Sequence, residues 1–326
     1  MLAWRLLPTA SGLVSRLEDV PTPVPGPGQL LVRVRAAGLN RGELMTNHSL
    51  HGGGGAKPAG LEAAGEVIAT GPGVAGWNAG DRVMGRCSGG FAELALIDER
   101  EALAVPTALG WHAAGAVPLT YAVAYDMLVL QGGLQPGQTL FVAGVASGVG
   151  VSAMQAAKAL GARVIGTSGS AGKLERLRAQ GLDLGLLTRG PDFVDAVLQA
   201  TEGRGVDLAV DTVGGSVFGA CVRVLGFEGR LAMVGYVDGQ LKAELDLEAL
   251  HARRLRLFGV SNRLRTPAQR AAGVPGFRAD WLPMLADGRI QPLVDRVFQF
   301  EELAAARACM EADQHLGKIV LAGREG

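Results

Sequence analysis

A glycine-rich turn is the stretch of this sequence whose residue types and spacing are most specific for chemistry. Residues 148–153, GVGVSA, fit the pattern G-x-G-x-x-[G/A]. They follow the apolar run 139–144 and open the segment 152–160, which is rich in helix-forming residues. Glycine allows a tight turn and a close backbone approach, and the first N–H groups of a helix attract a diphosphate. The pattern predicts a dinucleotide site, with a glycine-rich turn in a structural domain as the alternative. The predicted contacts are Ala146, Ser147, Gly148, Val149 and Gly150.

The next strand end indicates which dinucleotide binds. NAD-binding versions of this turn carry an Asp or Glu about 20 residues on, but residues 162–173 contain no acid. Hydroxyl groups and a lysine stand there instead, and they suit a 2′-phosphate. Two charge-assisted hydrogen bonds of about 1.5–3 kcal/mol each favour NADPH over NADH by about two orders of magnitude. Lys173 on a solvated helix face and Arg189 in a plain loop are the alternatives. The predicted contacts are Thr167, Ser168, Ser170, Lys173 and Arg189.

The elements that position these residues alternate between strands and helices from about Thr120. This alternation predicts an α/β fold with a doubly wound parallel sheet. Earlier, from 29 to about 105, short apolar stretches between glycine- and proline-rich turns predict a compact β domain. After Pro267 the elements are mixed, and we expect this tail to rejoin the β domain. The predicted strands are 139–144, 163–167, 206–211, 230–234, 255–260, 294–300 and 318–321, and the predicted helices are 152–160, 171–180, 216–225, 281–285 and one from Glu301.

Composition bounds the class of protein. The chain has 326 residues, about two domains by length, and 31 basic residues balance 31 acidic ones. Such a balance gives no field that would recruit nucleic acid or an anionic membrane. The three cysteines are far apart, and no apolar run reaches the 18 or so residues of a membrane helix. These features, and an N-terminus without a signal-sequence pattern, predict a cytoplasmic, soluble enzyme.

Several stretches resemble the medium-chain dehydrogenases/reductases, specifically the zinc-independent quinone oxidoreductases related to ζ-crystallin. The resemblance implies a GroES-like, β-rich catalytic domain at 1–119 and 261–326, and a Rossmann NADPH-binding domain at 120–260. It also implies an active-site cleft between the two and a homodimer joined along the strand at 255–260. The matching stretches are AAGLN (36–40), GLEAAGEV (60–67), AGDRV (79–83), LTYAVAYDML (119–128), the glycine turn, DTVGG (211–215), GRLAMVG (229–235) and GKIVL (317–321).

The resemblance also bears on metal. Zinc-dependent alcohol dehydrogenases have a Cys where this chain has Asn40 and a His where it has Leu61. Zinc needs three or four N, S or O ligands, and Glu62 alone does not supply them. His48 and His51 lie three apart in a glycine-rich loop without a third ligand nearby. We therefore predict no metal, and we interpret Glu62 as a hydrogen-bonded structural carboxylate.

Without zinc, hydrogen bonds must polarise the substrate carbonyl. Asn40 stands where the quinone reductases keep an Asn. Its side-chain N–H₂ is predicted to donate a hydrogen bond to a quinone or enone oxygen. One such donor stabilises the transition state by about 3 kcal/mol. A turn-capping Asn is the alternative. Some related enoyl reductases use a Tyr as proton donor, but the loop 45–55 has none. His48 or His51 is one substitute, and solvent supplies protons for a quinone. By resemblance Tyr121 lies near the nicotinamide and is assigned with Asn40 as a catalytic residue, with a core aromatic as the alternative.

The remaining predicted contacts are assigned by position. Gly235 and Tyr236 end a Rossmann strand, where ligands bind in open α/β sheets. Phe258 and Val260 are predicted to cover the nicotinamide, with packing at the dimer strand as the alternative, and Lys318 is assigned to the cofactor. The predicted substrate pocket is Met45, His48, Leu61 and Met84, each of which fits an ordinary core position as well.

These residues together predict NADPH-dependent reduction of a quinone or another α,β-unsaturated carbonyl by direct hydride transfer, without zinc. One alternative is a reductase of enoyl thioesters, which the missing Tyr makes a weaker match. Another is a non-catalytic NADPH-binding protein acting as a sensor, a structural protein or an RNA binder, and no basic stripe supports the last of these. A zinc alcohol dehydrogenase is a further alternative, which metal in the purified protein and activity sensitive to chelators would reveal.

Overall fold

The computed structural model describes residues 1–9, 12–44 and 56–324. They form two compact units, and each is described by itself. The first unit comprises Met1–Ala122 and Arg263–Gly326, and the second comprises Val123–Asn262.

The first unit is built on two sheets. A three-stranded sheet has the order β2-β1-β4, and a six-stranded sheet has the order β14-β15-β3-β5-β6-β7, with β7 also paired to β3. The extra pairing closes β3, β5, β6 and β7 on themselves, which leaves these four strands without a free edge. The strands of the unit are β1 (Leu2–Thr9), β2 (Gly12–Asp19), β3 (Gln29–Gly38), β4 (Lys57–Pro58), β5 (Glu62–Thr70), β6 (Arg82–Ser88), β7 (Leu94–Ala104), β14 (Val294–Phe298) and β15 (Lys318–Ala322).

Alternation along β3 shows why these residues form a sheet with a buried face. Leu30, Val32 and Val34 are almost fully buried, whereas Arg33 between them is exposed. Successive side chains of a strand point to opposite faces, so one face joins the core and the other meets solvent. The chain's C-terminal segment packs here too, since β15 pairs antiparallel with β3.

Short helices complete the first unit. The helix α3 extends to Tyr125 and continues as a π-helical turn at Asp126–Leu130, so it runs on into the second unit. A 3₁₀ turn, Phe300–Glu302, precedes the last helix. The helices are α1 (Arg41–Leu44), α2 (Trp111–Gly115), α3 (Pro118–Tyr125), α9 (Pro267–Ala271), α10 (Val274–Asp280), α11 (Leu282–Ala286) and α12 (Leu303–Glu311).

The second unit is a six-stranded sheet in the order β10-β9-β8-β11-β12-β13, with every pair parallel. Numbered along the unit, this order is 3-2-1-4-5-6, the strand order of Rossmann folds that bind dinucleotides. The predicted α/β fold, with a β-rich domain and a separate doubly wound parallel sheet, is confirmed. The strands are β8 (Thr139–Ala143), β9 (Arg163–Ser168), β10 (Leu184–Leu187), β11 (Val206–Asp211), β12 (Leu225–Met233) and β13 (Arg256–Gly259).

Crossover helices join these parallel strands, as parallel pairing requires. α4 is buried from Gly150 to Ala157, consistent with the small residues of that segment. The longest helix of the described residues has 12 residues, and none of the described helices is long and apolar enough to cross a membrane. The helices are α4 (Gly148–Ala159), α5 (Ala171–Arg178), α6 (Val194–Ala200), α7 (Gly215–Arg223) and α8 (Leu247–Ala252).

Some elements lie outside the sequence predictions. The N-terminal hairpin of β1 and β2 precedes Gln29, where the predicted β domain began. β10, with four residues, and α6 and α8, with seven and six, were also missed. β10, α6 and α8 are short, so neither the two-residue nor the 3.6-residue period has room to emerge in them.

Candidate active site

The predicted dinucleotide turn joins β8 to α4. Ser147 caps the helix: its Oγ accepts a hydrogen bond from Gly150 N at 3.0 Å and donates to Gly144 O at 2.8 Å. Such a cap orients the first turn, and the next N–H groups of a helix remain available to a bound anion. The turn therefore fits a diphosphate.

Gly144 and Gly150 make this turn possible. Gly144 has φ +79°, and a Cβ there would lie 2.5 Å from Thr212 Oγ1. A Cβ at Gly150 would lie 2.4 Å from Gly144 O, because the helix begins directly against the strand end. The first glycine of the G-x-G pattern, Gly148, is not among the residues with positive φ. The left-handed residue is four positions earlier.

Hydroxyl groups line the end of β9, as predicted. Thr167 Oγ1 accepts from Gly144 N at 3.1 Å, which links β9 to the dinucleotide turn. Ser168 Oγ accepts from Ser170 N at 3.3 Å, and Ser170 caps α5 by accepting from Lys173 N at 3.4 Å. The half-buried Lys173 is the third residue of α5, one turn from the hydroxyl groups.

Arg189 joins this group from a different element. It follows β10, whose residue Leu187 is in register with Ser168, and a Cβ built on Gly169 would lie 2.2 Å from Arg189 Nε. The exposed Arg189 side chain therefore lies over the backbone of Gly169 and depends on the missing side chain there. Hydroxyl groups and a guanidinium at one strand end form a suitable site for a phosphate.

The other predicted cofactor residues lie at the carboxyl ends of β12 and β13. Gly235 N donates to Asp211 O at 3.3 Å, and Tyr236 is 39% exposed. Phe258 is half-buried, and the buried Val260 donates its N–H to Met233 O at 2.9 Å. The structure places all four at the same edge of the sheet as the dinucleotide turn, because parallel strands share a carboxyl end.

Asp211 was not among the predicted site residues. It is fully buried at the end of β11, where Oδ1 accepts from Val213 N at 2.8 Å and Gly214 N at 2.9 Å. Its Oδ2 is buried without a hydrogen-bond partner among the described residues. Burial raises the pKa of this carboxyl from 3.8 to about 6. The signal was present in the DTVGG stretch, but only as part of a family pattern.

A second polar cluster lies in the first unit, around Asn40, Glu62 and Lys318. Lys318 Nζ donates to Glu62 Oε1 at 2.6 Å, to Asn40 Oδ1 at 2.8 Å and to Leu39 O at 2.8 Å. Glu62 is fully buried and Lys318 is 5% exposed. Such a pair is stable only when its remaining polar atoms are satisfied. Glu62 is therefore the hydrogen-bonded carboxylate that the sequence indicated.

Two backbone features complete the setting of Glu62. Leu119 N, at the start of α3, donates to Glu62 Oε2 at 2.7 Å. A Cβ at Gly38 would lie 2.5 Å from Glu62 Oε1 and 2.6 Å from Gly115 O, so only glycine leaves room for the carboxylate there. Neither Gly38 nor Leu119 was singled out in the sequence, since both act through contacts between distant segments.

Asn40 is half-buried and its amide is fixed in one orientation. Oδ1 accepts a hydrogen bond from the Lys318 ammonium, a group that can only donate. Nδ2 donates to Glu62 Oε1 at 2.9 Å and to Glu43 Oε1 at 3.2 Å. The chemistry of these partners assigns the nitrogen and the oxygen of the amide. Both side-chain N–H groups already have protein acceptors.

Glu43 is the second carboxyl of this cluster and was also missed. It is 3% exposed, and its Oε1 accepts from Asn40 N at 2.9 Å as well as from Nδ2. Burial raises the pKa of this carboxyl from 4.5 to about 7; the Asn40 hydrogen bond and Lys318 oppose this effect, and Glu62 adds to it. The spacing of an N-cap residue and a Glu three positions later was the signal that could have found it.

Four predicted site residues have surroundings that bear on their assigned roles. Lys318 was assigned to the cofactor, and this is corrected: its three N–H groups are taken by acceptors of the first unit. Met84 was assigned to the substrate pocket, but it is fully buried in the core. Tyr121 is 2% exposed, and burial raises the pKa of its hydroxyl well above the usual range, so it carries its proton at neutral pH. Leu61 is half-buried beside Glu62.

Met45 and His48, predicted for the substrate pocket, lie outside the described residues, as does His51. Across the parts of the chain that are described, no group of three or more His, Cys, Asp or Glu side chains is arranged to hold a metal ion.

Two family models match the chain. Residues 26–107 match the alcohol dehydrogenase GroES-like domain, and residues 148–272 match the model described as zinc-binding dehydrogenase. The first match lies within the first unit, and the second covers the dinucleotide turn and most of the second unit.

Curated relatives extend over nearly the whole chain. The human synaptic vesicle membrane protein VAT-1 homolog is 33% identical over 92% of this chain and 80% of its own length. The polyketide synthase GfsB of Streptomyces halstedii is 32% identical over 98% of this chain, which spans only 6% of that much longer protein.

Solved structures of similar fold include a mycobacterial protein complexed with NADPH. It is 27% identical, with a TM-score of 0.86 over 99% of this chain and 100% of that one. A mycobacterial quinone oxidoreductase is 26% identical, with a TM-score of 0.84 over 99% and 100%. The CurK enoyl reductase shares the fold at 24% identity, with a TM-score of 0.80 over 98% of both chains. The chain belongs to the medium-chain dehydrogenase/reductase superfamily of oxidoreductases, among its zinc-independent members.

Proposed function

We propose that this protein uses NADPH to reduce a quinone or another α,β-unsaturated carbonyl by direct hydride transfer, without zinc. The observation that carries the proposal is the fixed amide of Asn40, held by Lys318 and Glu62, at the position that zinc enzymes of the superfamily give to a metal ligand. An amide N–H stabilises negative charge on a carbonyl oxygen without a metal. The quinone oxidoreductase of similar fold supports the same chemistry.

The second unit holds the cofactor in this proposal. The capped start of α4 takes the diphosphate, and Ser168 with Arg189 takes the 2′-phosphate, for which the NADPH complex of the similar mycobacterial protein is a precedent. When bound, NADPH supplies a hydride from C4 of its nicotinamide. In this proposal Lys173, the third residue of α5, adds a second cationic contact.

The first unit polarises the substrate. As negative charge develops on the substrate oxygen, one N–H of Asn40 Nδ2 shares its hydrogen bond between its protein acceptor and that oxygen. A donor of this kind contributes about 3 kcal/mol to the transition state, or about 100-fold in rate. The buried pair of Lys318 and Glu62 keeps the amide in register while this exchange occurs.

The test is a screen of NADPH oxidation with quinones, enones and enoyl thioesters, run on the wild type, Asn40→Ala and a control. The matched control is Asn78→Ala, an exposed Asn of the same unit. We expect Asn40→Ala to lower kcat by about 100-fold and Asn78→Ala to leave it unchanged. Equal kcat in wild type and Asn40→Ala would remove the polarising role.

Reduction of enoyl thioesters is the second candidate. The chain matches a portion of a polyketide synthase along nearly its full length, and an enoyl reductase shares its fold. The same screen distinguishes the two candidates. If kcat/KM is higher for an enoyl thioester than for any quinone, reduction of enoyl thioesters replaces the first proposal. Binding of NADPH with no oxidation by any acceptor instead favours a non-catalytic sensor or structural protein.

A homodimer along β13 belongs to the same proposal. β13 is the edge of the second unit's sheet, and within the described chain it pairs only with β12. Its open side offers unpaired backbone groups to a second copy. Light scattering is expected to give twice the mass of one chain, and a mass of 33.6 kDa would show a monomer.

A further inference from the structure

The buried carboxyl of Glu43 has no role in the proposed function as stated. Two carboxyl groups, Glu43 and Glu62, share the same amide nitrogen of Asn40. One ammonium serves them, and all its hydrogen bonds go to Glu62, Asn40 and Leu39. Two negative charges with one cation are unfavourable in a buried cluster, so one carboxyl keeps a proton. Glu62 has the ammonium, and the proton therefore belongs to Glu43.

The surroundings of Glu43 agree with this assignment. Its Oε2 is buried without a partner among the described residues, which is costly for a charged oxygen. On β6, two residues interact electrostatically with Glu43: Cys87, a neutral thiol whose pKa is raised by burial, and the half-buried cation Arg86. From α12, Arg307 is directed to Glu311 and to Leu13 O instead.

A purely structural reading explains only part of these contacts. Glu43 accepts from Asn40 N in the manner of a capping box, three residues into α1. That motif accounts for the backbone bond. It does not require the second bond, from the side-chain nitrogen that is proposed to reach the substrate.

We propose that Glu43 is a positioning residue that controls the donor of Asn40: the ionised carboxylate retains the side-chain N–H, and the neutral acid releases it to the substrate oxygen. This inference rests on the proposed function. The proton comes from solvent and stays on Glu43, so no bond of the substrate is made or broken by this residue. A carboxylate is a much stronger hydrogen-bond acceptor than a neutral carboxyl, which gives the exchange its direction.

The proposal predicts that kcat falls as pH rises. The acid form is the active form, and burial places the pKa of Glu43 at about 7. The kcat of the wild type is therefore expected to be high below pH 7 and to fall by up to about 100-fold above it, the value of one polarising donor. Glu43→Gln, a neutral side chain of the same shape, removes the titration and leaves kcat flat across this range. Glu311→Gln, an exposed change on α12, is the control and keeps the wild-type profile.

A direct titration tests the same idea without turnover. Carbon-13 NMR of labelled glutamate side chains is expected to show one carboxyl titrating near pH 7, absent in Glu43→Gln. In Asn40→Ala this pKa rises further, because the hydrogen bond that lowers it is gone. This second variant also serves if Glu43→Gln does not fold.

The outcomes separate the two proposals. If no glutamate titrates above about pH 5.5, the inference is wrong whatever the activity. If one titrates near 7 but Glu43→Gln keeps the wild-type pH profile, control of Asn40 is wrong while the proposed function stands. If no quinone, enone or thioester oxidises NADPH in any variant, the proposed function is wrong and the inference ends with it.

Discussion

Replacing Lys318 by methionine removes the cation of the buried pair and keeps most of the side-chain volume. Glu62 would then lie fully buried with only Asn40 Nδ2 and Leu119 N as partners. Breaking a buried pair by removing one partner costs about 3–5 kcal/mol, because an uncompensated charge remains. For a domain of about 150–250 residues this corresponds to a fall in Tm of about 6–20 °C.

The double variant Lys318→Met with Glu62→Gln shows whether the uncompensated charge is the cause. Glutamine keeps an acceptor for Leu119 N and carries no charge, so most of the lost stability is expected to return. The control is Arg35→Met, which breaks the half-exposed Arg35–Glu66 pair between β3 and β5. That pair contributes about 1 kcal/mol or less.

The assay is thermal unfolding followed by circular dichroism at neutral pH, with urea unfolding as a second measure. A fall in Tm for Lys318→Met no larger than that for Arg35→Met would refute this reasoning. So would a double variant as unstable as the single one, since the cost would then lie in packing and not in charge.

Three further predictions concern the second unit. Asp211→Asn is expected to stabilise the fold at pH 7 by up to about 3 kcal/mol, since a pKa raised from 3.8 to about 6 costs 1.36 kcal/mol per unit once the group ionises. The free energy of unfolding of the wild type is expected to fall as pH rises from about 4 to above 6, whereas that of Asp211→Asn does not show this fall. Equal pH dependence of Tm in the two proteins would contradict this prediction. Gly150→Ala is expected to lower both Tm and NADPH affinity, because its Cβ meets Gly144 O at 2.4 Å, and unchanged values of both would exclude this close approach. Arg189→Met is expected to weaken NADPH binding by about 10- to 150-fold and leave NADH unchanged, measured by calorimetry. The exposed Arg204→Met is its control, and equal losses for both cofactors would exclude a phosphate contact.

Local patterns carried the prediction of the second unit. Strands β8, β9 and β11 begin at the predicted residues, because a buried parallel strand is a continuous apolar run that can be read from neighbours in sequence. The hydroxyl groups of Ser168 and Ser170 lie on that strand end and its helix cap. Their spatial relation to Arg189 required β10, a strand too short to show a period.

The first unit shows what such patterns miss. The partners Glu62 on β5 and Lys318 on β15 are 256 residues apart in sequence, and they meet because both strands pair with β3. The sequence alone assigned Lys318 to the cofactor and did not indicate its pairing with Glu62. Gly38 matters because of a carboxylate on the neighbouring strand β5. Glu43 had a readable local signal in its spacing from Asn40, but its burial and its shared amide are properties of the tertiary structure.

The transfer of isotope from cofactor to product tests the central proposal most directly. NADPH deuterated at the transferring position of C4 is incubated with the protein and an α,β-unsaturated ketone, and the product is examined by mass spectrometry. The account predicts one deuterium on the β-carbon of the saturated ketone, with the second hydrogen taken from solvent. Product without that deuterium, or no product under conditions in which NADPH binds, would contradict it.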